Sequence, residues 1–62
     1  MAIEVTIVVK DSEKTLRKKF LEYNAFTMHA QDLILKGYIA ETVTEFMDEP
    51  DDVIVQTKMV LQ

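Results

Sequence analysis

Residues Thr27 to Asp48, TMHAQDLILKGYIAETVTEFMD, make the only stretch long enough and apolar enough to be a full helix that a short domain could pack against. At about 100° per residue, Ile34, Leu35, Tyr38, Ile39, Thr42, Val43 and Phe46 fall within one half of a helical wheel. That spacing predicts a core-facing stripe. Two residues are candidates for its start. Asp32 has a carboxylate suited to the free N–H groups of a first turn, and Thr27 is a rival cap with Phe26 before it as a staple. The end is marked by Asp48-Glu49-Pro50-Asp51, because Pro50 restricts Glu49 and has no donor of its own.

Gly37, the only glycine, falls inside this stretch. Read as a C′ residue after Lys36, it would end a helix begun near Ser12 and leave Tyr38–Met47 as a strand. Read as a packing residue, it joins Leu33, Ala40 and Thr44 on the face away from the main stripe. Small residues there would let another backbone come close. Ala40, Glu41, Glu45 and the Ile34/Tyr38/Phe46 stripe favour the second reading.

Upstream, Ile3-Glu4-Val5-Thr6-Ile7-Val8-Val9-Lys10 alternates, with Ile3, Val5, Ile7 and Val9 on one face, which predicts a half-buried strand. Asp11-Ser12-Glu13-Lys14 is polar and turn-like, without the Asn-Gly or Asp-Gly of a tight hairpin. Thr15–Phe26 reads two ways. As a helix it spaces Leu16, Phe20 and Tyr23 at i, i+4 and i+7. As a strand it places Leu16 and Phe20 on one face and Arg17, Lys19, Leu21 and Tyr23 on the other. The short polar turn before it and a charge pattern suited to one wet face favour a hairpin. Val53–Leu61 alternates again, with Val53, Val55, Met59 and Leu61 opposite Gln56 and Lys58. The expected fold is α+β: a small antiparallel three-stranded sheet with one helix across it, in the order strand-strand-helix-strand. The order strand-helix-strand-strand is the alternative.

A chain of 62 residues makes one domain, residues 1–62, and buries only about 60% of its unfolded surface. Disulfides, metals or self-association usually reinforce so small a core. There is no cysteine, so a homodimer is the expected reinforcement, through Leu33, Gly37, Ala40 and Thr44. Met1-Ala2-Ile3-Glu4 lacks the basic region of a signal peptide, and no apolar run reaches membrane-spanning length. These features, with the absence of cysteine, lead us to expect a cytoplasmic protein.

The formal net charge of −4 is unevenly distributed along the sequence. Lys10, Lys14, Arg17, Lys18 and Lys19 crowd the expected hairpin. Glu41, Glu45, Asp48, Glu49, Asp51 and Asp52 crowd the helix end and the turn after it. The expectation is an acidic pole, Glu45, Phe46, Met47, Asp48, Glu49, Asp51 and Asp52, that faces a protein partner. Solvated surface is the plainer explanation of such charge runs.

Motifs that carry chemistry are missing. His29 is the only histidine, Ser12 the only serine, and there is no glycine-rich phosphate loop. Asp48, Glu49, Asp51 and Asp52 lack the alternation and central glycine of a calcium loop. Neither catalysis, metal nor cofactor is therefore expected. Small tautomerases have a similar strand, Pro-containing turn and strand, but they need an amino-terminal proline where this chain has Ala2. Arg17, Lys19, Tyr23 and Lys58, with Gln56, are an alternative site: a basic, partly aromatic sheet face for single-stranded nucleic acid.

Val5-Thr6-Ile7 followed by Asp11, and Asp52-Val53-Ile54 running to Val60-Leu61, resemble small phage-encoded accessory proteins. More narrowly they resemble the dimeric phage inhibitors of uracil-DNA glycosylase. That family presents an aromatic early in its helix, where this chain has Ala30, Gln31 and Asp32, so no functional residue carries over. The resemblance implies a homodimer whose acidic surface imitates DNA. Two functions follow as expectations: a non-catalytic protein-interaction module of the inhibitor kind, or a small single-stranded nucleic-acid-binding protein.

Overall fold

The computed structural model describes residues 2–24, 27–46 and 49–60. They form β1 (Ala2–Lys10), β2 (Thr15–Glu22), α1 (Met28–Phe46) and β3 (Asp52–Val60). This is an α+β fold in the order strand-strand-helix-strand, so the alternative order is excluded. Residues 15–22 are a strand. Gly37 lies within α1, which excludes the reading that ended a helix there.

The sheet order is β2-β1-β3, with both neighbours antiparallel to β1. β1 is the central strand and carries apolar residues on both faces. Ile3, Val5, Ile7 and Val9 point toward the helix, while Ala2 and Val8 interrupt the polar residues of the other face. All six are buried, and Val5, Ile7 and Val9 are completely inaccessible. Ser12-Glu13 forms the loop to β2, closed by reciprocal backbone bonds between Asp11 and Lys14 of 2.8 and 3.3 Å. The Asp11 carboxylate accepts the N–H of the next residue, Ser12, at 2.7 Å. β2 and β3 run parallel, so the chain must cross β1 between them, and α1 is that crossover.

Thr27 caps α1, its Oγ1 accepting the Ala30 N–H at 3.0 Å. Asp32 is not the cap. It lies in the second turn, paired with Lys36 at 3.1 Å, because the chain is already helical from Met28. The apolar stripe faces the sheet as its spacing requires. Ile34, Leu35, Tyr38, Ile39, Val43 and Phe46 pack on the β1 core, together with Leu16, Phe20 and Val55. Thr42 is fully buried and donates its hydroxyl to the Tyr38 carbonyl at 2.8 Å.

α1 sits to one side of the sheet's midline. The Phe20 and Tyr38 rings stack with centroids 4.0 Å apart and planes 9° from parallel. The Tyr38 hydroxyl donates to Glu22 at 3.4 Å, and Lys18 pairs with Glu45 at 3.1 Å. These contacts draw the helix over β1 and β2. On the β3 side, the Gln31 side-chain amide meets the Met59 sulfur at 3.9 Å. Val53 and Met59, which point to the helix side of β3, remain 36% and 48% exposed.

Candidate functional site

Strand register sorts the charges by face. Residues opposite one another in an antiparallel pair share a face. The face without a helix therefore carries Lys10, Arg17, Lys19 and Lys58 against Glu4 and Asp52. Across the rest of the described residues, Lys14, Lys18 and Lys36 stand against Asp11, Glu13, Glu22, Asp32, Glu41, Glu45, Glu49 and Asp51. The open sheet face is thus net basic, by four cations to two carboxylates. The helix and its side of the sheet are net acidic, by four carboxylates to two cations, and the described loops add four carboxylates to one cation.

Within the open face, Arg17 lies opposite Val8, Lys19 opposite Thr6 and Lys58 opposite Glu4. Three of the four residues expected to form a basic face are therefore brought together across β1. Glu4 partly neutralises them, since Lys19 pairs with it at 3.4 Å. Tyr23 lies just beyond the end of β2 and is half exposed.

The basic hairpin and the acidic turn after the helix do not lie at opposite ends of the molecule. Lys10 is opposite both Thr15 and Asp52, and the Asp51 N–H donates to the Lys10 carbonyl at 2.7 Å. The two charged stretches thus share one end of the molecule, because both hairpin and crossover return there. Glu45 is engaged by Lys18, Phe46 packs on the core, and Asp52 belongs to the open face. Glu49 and Asp51 are exposed. Met47 and Asp48 of the expected acidic site lie outside the described residues.

Leu33, Gly37, Ala40 and Thr44 are all exposed, on the face of α1 turned from the sheet. A Cβ added at Gly37 would meet nothing within 4 Å, so no contact within the chain demands a glycine there. Burial and the neighbouring Glu22 carboxylate push the Tyr38 hydroxyl above its ordinary pKa. The hydrogen bond to Glu22 and the charge of Glu41 act in the same direction.

The exposed β3 flank, Val53 and Met59, was not singled out by its sequence. Its alternation is nearly that of a strand packed on one face, and the sequence does not show where a helix will stop short. Among the described residues there is no cavity and no group of His, Cys, Asp or Glu able to hold a metal. No helix is long and apolar enough to cross a membrane. No protein-family model matches this chain, and no curated protein or solved structure is significantly similar to it.

Proposed function

We propose that the chain is a non-catalytic protein-interaction module that receives a basic protein surface on its acidic, helix-bearing side. The observation that carries this reading is the charge division: on the helix and its side of the sheet Glu22, Asp32, Glu41 and Glu45 stand against Lys18 and Lys36, and the described loops add Asp11, Glu13, Glu49 and Asp51 against Lys14. A field of one sign draws an oppositely charged partner and accelerates encounter. The contact residues named by this reading are Glu41, Glu49 and Asp51, together with Asp48. The resemblance to the phage inhibitors of uracil-DNA glycosylase supports a nucleic-acid-processing enzyme as the partner, its DNA-binding surface being basic. The test is to titrate the protein into uracil-DNA glycosylase and other DNA-processing enzymes at low salt. Inhibition relieved by salt, and weakened by the combined change Asp48→Asn, Glu49→Gln, Asp51→Asn, is the expected result. Full enzyme activity at saturating protein would overturn it.

A second reading rests on the convergence of Arg17, Lys19 and Lys58 on the open sheet face. It takes single-stranded nucleic acid as the ligand. Fluorescence anisotropy with a labelled single strand tests it, since phosphate contacts must weaken steeply as salt rises. No change in anisotropy at low salt would exclude it.

A further inference from the structure

Two dimensions of the chain are larger than its mass requires. A folded monomer of 7.2 kDa has an accessible surface of about 4100 Å², whereas this chain has 4611 Å². Its radius of gyration is 12.3 Å, with extents of 37 × 18 × 14 Å, against about 10.6 Å for a compact chain of this length. The surplus area for two copies is about 1000 Å², the size a specific interface should reach.

The sheet offers one edge at which such a surface can be covered. β2 and β3 are both edge strands, but only β2 is defended against pairing with itself. A two-fold axis on Lys18 would set Lys18 against Lys18 and Arg17 against Lys19, which like-charge repulsion opposes. β3 has no such cluster, and Pro50 precedes the strand without interrupting it. Its helix-side residues Val53 and Met59 stay exposed because α1 is tied to β2.

We propose that β3 is the seam of a homodimer. A second copy adds its own β3 antiparallel along this edge, with Gln56 on the two-fold axis, and two three-stranded sheets become one of six strands. Gln56 is the midpoint of Asp52–Val60, so this register pairs the whole strand. It sets Val53 of each copy opposite Met59 of the other, covering both. On the open face, Asp52 of each copy lies diagonal to Lys58 of the other, within reach of a charge pair. The axis is perpendicular to the sheet, so both helices lie on the same side. This inference stands apart from the acidic-side reading and moves the expected dimer contact from the helix stripe to the sheet edge.

The test is the solution mass of the full chain by sedimentation or light scattering across the micromolar range. Twice 7.2 kDa is expected. Val53→Lys and Met59→Lys change exposed side chains, so each should keep the circular dichroism of the parent and weaken dimerisation at least about tenfold. Gln56→Cys introduces the only thiol and should give a disulfide-linked dimer on mild oxidation, with the dichroism unchanged, since residues facing across such an axis lie within disulfide range. A monomer at every concentration would overturn the inference. A dimer unaffected by both lysine variants, or one dissociated by Gly37→Leu while Gln56→Cys fails to cross-link, would overturn it equally.

Discussion

β1 and β3 are nine residues each, both alternate apolar with polar side chains, and both are antiparallel partners in one sheet. Their fates differ. β1 has Val5, Ile7 and Val9 wholly buried, while Val53 and Met59, in register beside Val9 and Ile3, stay 36% and 48% exposed. The difference comes from place in the sheet. A central strand has neighbours on both sides, and here the crossover helix lies over it. An edge strand has one neighbour, and β3 lies on the side from which Phe20, Glu22 and Lys18 pull the helix away. Strand burial is therefore assigned by topology and by the tether of one helix, more than by strand composition.

The sharpest test of that contrast is truncation on each strand. Ile7→Ala should cost about 2–5 kcal/mol, a large part of the stability of so small a domain, and urea denaturation would register it as a lowered midpoint. At concentrations low enough for the chain to be monomeric, Val53→Ala should stay within about 0.5 kcal/mol of the parent. Equal losses at the two sites would break the comparison. Phe20→Ala is expected to come next, at about 2–3 kcal/mol, through lost packing and the lost Tyr38 stack. It should also free the helix to move toward β3, which hydrogen exchange along α1 and β3 would detect.

Thr42→Val sharpens the comparison from the helix side. Thr42 is the one fully buried residue of α1, and its hydroxyl bonds a carbonyl four residues back. That carbonyl is still served by the helix ladder when the hydroxyl is removed. The substitution should therefore be neutral or stabilising by up to about 1 kcal/mol in the same unfolding measurement. A clear destabilisation would show that the hydroxyl positions the helix.

The smallest effect is expected from pH. The Tyr38 pKa is raised in the folded state, by burial first and by Glu22 next. The unfolded chain then loses its proton at lower pH than the folded one. The contribution of Tyr38 is complete below pH 10.0, the ordinary tyrosine value, and is lost as pH rises through the higher folded value. Unfolding followed in the alkaline range should show this fall, and Glu22→Gln should lessen it. A Glu22→Gln variant with an unaltered alkaline slope would remove Glu22 as a contributor.

Local periodicity determined β1, through the alternation of Ile3–Val9, and the buried face of α1, through the seven-residue stripe from Ile34 to Phe46. Thr15–Phe26 read two ways, and its charge pattern only favoured a strand; pairing with β1 decided it. The helix cap was less legible. Thr27 and Asp32 are both competent acceptors, and the choice depends on where the chain leaves the sheet. Sequence also could not order the strands, because pairing is a long-range contact that alternation does not encode. That order placed Arg17, Lys19 and Lys58 on one face and folded the basic and acidic stretches back to the same end. Only the tertiary structure decided which strand would be covered. The reason is physical: nine residues of alternating β3 satisfy a sheet equally well at its centre or its edge. The aromatic stack and ion pair on β2, remote from β3 in sequence, leave its Val53 and Met59 facing solvent.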